Sequence, residues 1–595
     1  MLTSALAVPV VFGYAGRQAY AACSALGGGT YLCSGTLRTT QTINADNADV
    51  TMASGASIDT TGGTGNAITV TGNGALSFIN TTGGLIQGEE NAIDVRSTGD
   101  DGSIEGAVTI NVTGNVNAVK GHGINALNES GSSGSITVTA ASVTSATKDG
   151  IYARNRTTAG RDLTITTTGT VSGEKNGIQA RNDGTGRLSV TTVDVSGGSG
   201  SGIYAWNEGT DLSVRAKGTV TVTGAGSEHD ARAGVVARNY GSGSLTIETV
   251  DVVASGDSEV DGIFADNAFG TDLSITATGA VTAESNGITA TNRGSGSLSI
   301  TAADVRGSEN DGIYGLIEST GTNMWITATG GVSGGRYGVF AKNEGSGEVT
   351  VTTATVTGGT KDGIYVRNSA SGTDITITAN GPVTGEERGI YARNDGTGNT
   401  TLTVTTAAGA KNAGILARNF NSAGDLTITS TGTVSGALSG LFARNFGTGA
   451  LRITTYDVEG FDGDHVKNTA NGINAEAHGT GLTITSSGTV SGTGSGIAAR
   501  NMGTGSATIS AVNATGGAFE GIYALTSFTG TDLTVTSTGR ISGATHGIRA
   551  QNDGTGTTTV TAHDVLGSSK DGIYARGAST SADITITGSV YGGRN

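Results

Sequence analysis

The apolar positions of this chain spell one short phrase over and over. A small residue, an aliphatic, an outward residue, alanine, a second outward residue and asparagine (Gly-Ile-x-Ala-x-Asn) recur from a degenerate copy at Ala92 through Gly123, Gly150, Gly177 and Gly202 to Gly547 and Gly572. There are 19 copies spaced about 25 or 26 residues apart, with insertions to about 32, a spacing of the kind that stacked repeats show. The aliphatic (Ile151, Ile178, Ile203, Val235, Ile263) and the alanine two residues on alternate with polar positions, so the phrase predicts a strand buried on one face. A second strand obeys the same rule at Leu163 and Ile165, Leu188 and Val190, Leu245 and Ile247, Leu426 and Ile428, and Leu533 and Val535, and a third short one follows, as in Val193-Asp194-Val195.

A unit of this size cannot bury its own aliphatic row, whereas coiling each unit onto the last makes one continuous core. The expected fold is therefore all-β, a single elongated right-handed parallel β-helix of about 25 residues per coil and roughly 19–21 coils. At a strand spacing of ~4.8 Å this is a rod on the order of 90 Å long. The closing asparagines Asn155, Asn182, Asn207, Asn239, Asn343, Asn368, Asn394, Asn419 and Asn445 should stack into a structural ladder of side-chain amides. Coils with Thr-Asp-Leu in the second strand alternate with coils carrying Asp-Val in the third (Asp162 to Gly173 against Leu188 to Gly197), so the duplicated unit is a pair of coils.

Composition narrows the alternatives. Glycine fills 102 of 595 positions, proline 2, and charged residues make up 14%, against the usual ~7% glycine and ~25% charged. Glycine without a three-residue period excludes collagen, and the scarcity of proline excludes a Gly/Pro linker. The abundance of Thr, Ser, Val, Ile and Gly argues against helices. Glycines are expected where turns need φ > 0 or backbones approach closely. A net charge of −16 with no long basic cluster argues against a nucleic-acid partner, no apolar run reaches membrane-helix length, and no cofactor is implied.

Residues 1–22 read as a signal-peptide remnant: an apolar run from Ala5 to Tyr14, then Ala19-Tyr20-Ala21, although no basic residue precedes Arg17. Residues 23–90 form an N-terminal cap and the first coils, with Cys23 and Cys33, the only cysteines, joined as a disulfide in an exported chain. Residues 91–595 form the regular array, which ends inside a coil and reads as truncated there.

The leader, the early cysteine pair, the Thr/Ser/Gly-rich three-strand coils and the acidic, cysteine-free remainder together resemble the passenger regions of bacterial autotransporters. That resemblance implies passage through the periplasm, display at the outer surface and a role in adhesion, aggregation or biofilm. It also implies a translocating outer-membrane barrel, whose strands are not found up to Asn595.

Candidate chemistry was weighed against this reading. Gly121-His122-Gly123, with Asp100-Asp101 upstream, resembles a polygalacturonase motif, but the accompanying Asn-Thr-Asp and Arg-Ile-Lys are missing. Gly256-Asp257-Ser258 resembles a serine-protease nucleophile loop but continues Glu259-Val260 rather than with glycine. The histidines (His122, His229, His465, His478, His546, His563) are scattered, and Asp-Gly pairs such as Asp149-Gly150, Asp261-Gly262 and Asp362-Gly363 read as turn dipeptides rather than calcium ligands. The outward phrase positions are richer. Aromatics at Tyr152, Tyr365, Tyr391, Phe442 and Tyr574 and cations at Arg154, Arg367, Arg393, Arg418, Arg444 and Arg576 should become two parallel stripes. These stripes either only stabilise the sheet or bind host or matrix glycans, proteins or a second rod. The expected function is a surface-displayed structural or adhesive passenger and not an enzyme; a polysaccharide-active β-helix enzyme and a passive stalk are the alternatives.

Overall fold

The computed structural model describes residues 21–224, 232–256, 259–463, 469–578 and 582–593. The leader assignment, the Asp257-Ser258 pair, His229 and His465 lie largely or wholly outside those residues. The chain is a right-handed β-solenoid of about 21 turns with roughly 26 residues per turn, and the described residues contain no helix. Two coils beyond the 19 phrase copies account for the difference: Gln41–Asn44 and Ile68–Gly72 open the stack without carrying the phrase.

One coil shows how the sequence builds the whole. Ile178–Asn182, Leu188–Thr192 and Val195–Gly197 are its three strands. Each pairs in parallel with its counterparts below and above, Ile178 with Ile151 and Ile203, Leu188 with Leu163 and Leu212. Ile178, Ala180, Leu188, Val190 and Val195 point inward and are 0–2% exposed. Alanine recurs in the phrase because the rod is narrow: a Cβ at Gly315, which stands at the alanine position, would lie 3.2 Å from Ile326 Cδ1 on the second strand.

The first end of the rod is closed by the one antiparallel strand pair among the described residues, Ala22–Gly27 on Thr30–Ser34. Cys23 and Cys33 stand opposite each other in this hairpin and are disulfide-bonded. Thr30–Ser34 then pairs in parallel with Asp49–Met52, starting the stack. In the last coil, from Ile573, the apolar residues Ile584, Ile586 and Val590 remain 38–48% exposed.

The asparagines that end the phrase are 0–1% exposed. From Asn128 to Asn292 each amide Nδ2 donates to the Oδ1 of the next: Asn155 to Asn182 at 2.9 Å, Asn182 to Asn207 at 3.2 Å and Asn207 to Asn239 at 3.1 Å. Ile317 occupies the ladder position in the following coil. Beyond it Asn343, Asn368, Asn394, Asn419 and Asn445 turn their Nδ2 groups to turn carbonyls instead, Asn394 to Thr373 O (2.9 Å) and Asn445 to Gly449 O (3.0 Å). In many coils the Oδ1 also accepts the N–H two residues on, as from Gly396 to Asn394 at 2.9 Å, which starts the turn out of the strand.

Of the two purposes expected of the glycines, close approach is the commoner in the array. Positive φ occurs at twelve described glycines, ten of them at or before Gly102. Within the regular array close approach dominates: a Cβ on Gly177 would collide with Val195 Cγ1 and lie 2.7 Å from Gly202 O. The paired-coil rhythm has the same origin. Asp194 Oδ1 accepts the Thr219 N–H of the next coil at 2.9 Å, Asp251 that of Ala280 at 2.9 Å and Asp304 that of Gly331 at 2.7 Å, all at the entrance to the third strand. Asp162, Asp211 and Asp272 do likewise to Arg187, Ser244 and Ser297 at the entrance to the second. Above these acids the neighbouring coil carries a glycine, and at five of the six (as with Gly218 over Asp194 and Gly243 over Asp211) its Cβ would strike the carboxylate. A coil thus supplies the acid at one corner and the glycine at the other, and only a pair of coils repeats.

Replacing Asn207 by alanine removes its bonds to Asn182 and Asn239 and should cost about 2–4 kcal/mol, read as a lower urea midpoint with unchanged far-ultraviolet circular dichroism.

Candidate functional site

Stacking the phrase strands in register lines up their outward residues on one face. Tyr314, Phe340, Tyr365 and Tyr391 form a continuous ring stack, with centroids 4.9–5.0 Å apart and planes within 2–10° of parallel. Such rings cover one another's faces and leave mainly their edges to solvent. Elsewhere the stripe is interrupted: Tyr152 stands between Asn125 and Gln179, Leu416 separates Tyr391 from Phe442, and Tyr574 follows Arg549.

Beside the rings run the cations, with Lys342, Arg367, Arg393, Arg418 and Arg444 in unbroken succession. Like charges at strand spacing repel, and most of this column is neutralised at the adjoining turn. Arg154 pairs with Asp183 at 2.7 Å, Lys342 with Glu344, Arg367 and Arg393 with Asp395 at 3.1 and 2.8 Å, and Arg444 with Glu476 at 3.4 Å. Arg418 has no carboxylate partner among the described residues. Its guanidinium lies over Phe442, 5.2 Å from the ring centroid, and its Nε is buried without a hydrogen-bond partner. Burial pushes its pKa down, and the fields of Arg444, Arg388 and Arg393 add to that. At Arg154 and Arg393 burial acts the same way but is overcome by Asp183 and Asp395, and both are raised. The sequence held the signal: the residue after the phrase asparagine is acidic in Arg181-Asn182-Asp183, Lys342-Asn343-Glu344 and Arg393-Asn394-Asp395, but phenylalanine in Arg418-Asn419-Phe420 and Arg444-Asn445-Phe446. Arg576, in the last coil, lies in register with Gln551.

Arg418 opens into a cleft of about 450 Å³ whose walls include Tyr391, Leu416, Phe442 and Asn474. At its edge Arg388 donates to both oxygens of Asp362, at 3.2 and 3.1 Å. Asp362, one of the Asp-Gly dipeptides, belongs to a buried polar column just before the phrase. In this column Asp149, Asp261 and Asp311 accept backbone N–H groups from the coil above, those of Asn176, Asn286 and Tyr337.

A larger cleft, about 640 Å³, surrounds His122. His122 Nδ1 is 3.3 Å from Asp149 Oδ2, and the Tyr152 ring lies 5.0 Å from the imidazole. Asp100 and Asp101 are not brought to it: they lie at the other end of strand Ile93–Gly99, where Asp100 accepts the N–H groups of Gly106 and Ser133 and Asp101 accepts the amide of Asn47. The same arrangement recurs as His546, Asp571 and Tyr574, with 3.4 Å between His546 Nδ1 and Asp571 Oδ2, which marks it as a product of the repeat. Among the described residues no group of three or more His, Cys, Asp or Glu side chains gathers to hold a metal ion.

No protein-family model, curated protein or solved structure matches this chain.

Burial raises the Asp362 carboxyl to about 6, outweighing the attraction of Arg388. The folded chain therefore holds a proton there that the unfolded chain, near 3.8, has released. This contribution to stability is complete below about pH 4 and is lost as pH rises through 6, a difference of up to about 3 kcal/mol. Urea unfolding across pH 4–7 should show that decline in the native chain, and Asp362→Asn should flatten it.

Proposed function

We propose that the chain is a secreted, surface-displayed rod of the adhesive passenger type, acting by binding through its phrase face at and around Arg418. The observation that carries this reading is the Arg418 cleft itself, where the Lys342 to Arg444 cation column holds its one member with no carboxylate partner among the described residues. Neutralised stretches of the column behave as sheet reinforcement, since exposed ion pairs contribute little and offer no free charge. The rod, on the order of 100 Å long at ~4.8 Å per turn, suits presentation of a binding face away from an anchoring surface. Attachment of the purified chain to matrix-coated or cell-coated surfaces tests the proposal. Arg418→Glu should reduce attachment severalfold, and added salt should weaken it, while Arg154→Glu, far along the rod, should leave it near the native level. Attachment unchanged by Arg418→Glu in a folded protein overturns the reading.

The enzyme reading rests on the approach of His122 to Asp149, since a carboxylate beside an imidazole is the usual setting of a general base, but His122 Nδ1 makes no hydrogen bond there among the described residues. We propose binding rather than catalysis here too, since His546 and Asp571 repeat the pair. Incubation with polygalacturonate should release no new reducing ends or unsaturated products from either the native chain or His122→Ala. Turnover that disappears in His122→Ala would establish the enzyme reading instead.

A further inference from the structure

We propose that the Arg418 cleft is a subsite for a single carboxylate carried on a saccharide. This names the ligand class of the binding face proposed above and rests on that reading.

The charge inventory of the cleft sets the number of anionic groups. Arg388 is committed to Asp362, Arg393 to Asp395 and Arg444 to Glu476, and among the described residues of the cleft Arg418 is the cation without a carboxylate partner. A densely sulfated or phosphorylated polymer would need several free cations side by side, whereas this site offers one. Its guanidinium is planar and offers paired donors that match a carboxylate. The site is concave, and on a chain whose net charge is −16 an unpaired cation in a concave site focuses the field on an incoming anion.

The walls select what carries the carboxylate. Tyr391, Leu416 and Phe442 give the cleft apolar and aromatic surface suited to the C–H faces of a sugar ring. Asn471 and Asn474 are at the same cleft; Asn471 Oδ1 takes the N–H of Ser495 at 2.9 Å, and its Nδ2 remains a donor suited to a hydroxyl. One free cation, apolar walls and amides together fit an acidic sugar, a uronate or a sialic acid, better than a short aliphatic acid or a peptide side chain.

Titration calorimetry of the full chain with a galacturonate tetramer, its carboxyl-reduced counterpart, sialyllactose and an aspartate-containing peptide tests this. At least one carboxylated saccharide should bind, the carboxyl-reduced tetramer should not, and Arg418→Gln should weaken binding about tenfold or more, the expected loss for a charge-assisted bond. Arg154→Gln should leave it unchanged, and circular dichroism should show both variants folded. Three results overturn the inference: no carboxylated saccharide binding better than the neutral tetramer, unchanged affinity in Arg418→Gln, or equal binding of the peptide. Loss of surface attachment in Arg418→Glu without saccharide binding would remove the ligand class and leave the binding face standing. Attachment retained by that variant would remove the binding face itself.

Discussion

Parallel stacking in register is the interaction on which the rest of this structure depends. Every side chain sits ~4.8 Å above its counterpart in the previous coil, so a residue type can fill a column only if it tolerates a copy of itself. Aliphatic and aromatic residues do, and Ile151, Ile178 and Ile203 or Tyr314, Phe340 and Tyr365 simply repeat. Asparagine does because its amide carries both a donor and an acceptor, so Asn155, Asn182 and Asn207 bond head to tail inside the rod. Carboxylates and guanidinium groups do not, and the chain needs a separate device for each.

For the carboxylates the device is alternation. Asp194 and Asp251 belong to alternate coils, the coil between them carries Gly218 at that corner, and each acid faces a glycine and a backbone N–H on the coil above rather than a second acid. This single requirement explains two features at once: the duplicated unit of two coils and much of the glycine. Because each coil contacts only its neighbours, stability is close to a sum over adjacent pairs, and one poorly matched coil weakens the rod locally. The break in the amide ladder at Ile317 shows this tolerance, since the strands continue in register on either side of it.

Period and alternation made the three-strand coil, the inward rows and the phrase asparagines legible, because they are properties of one column read along the chain. Legibility failed where two columns meet at a corner. The acids that neutralise Arg154 and Arg393 lie beyond the asparagine, in the turn, and viewing the stripe as a list of arginines concealed that Asp183 and Asp395 accompany them. His122 was read with Asp100 and Asp101 because they are near in sequence. In the solenoid its carboxylate is Asp149, one coil on. For the glycines, the repeat indicated both positive φ and close approach but not their shares, and contact with the next coil is what most of the array demands.

The cations show where self-repulsion is left unresolved. Arg367 and Arg393 share Asp395, so a repulsive column becomes a row of ion pairs. At the next coil the acid gives way to Phe420, and one coil further to Phe446. Rings also hold the cations of this stretch: Arg393 lies 4.3 Å from the Phe420 centroid, and Arg418 and Arg444 lie 5.2 and 4.7 Å from that of Phe442, while Arg393 and Arg444 keep Asp395 and Glu476 as well. A ring face attracts a cation by about 0.5–2 kcal/mol but does not neutralise it. Phe442 therefore helps to hold Arg418 in place without supplying the opposite charge that Asp395 and Glu476 supply to its neighbours. An aromatic partner serves stacking as well as an acid does and serves neutralisation not at all, so Arg418 keeps its place in the cation column with a ring, and no carboxylate among the described residues, beside it.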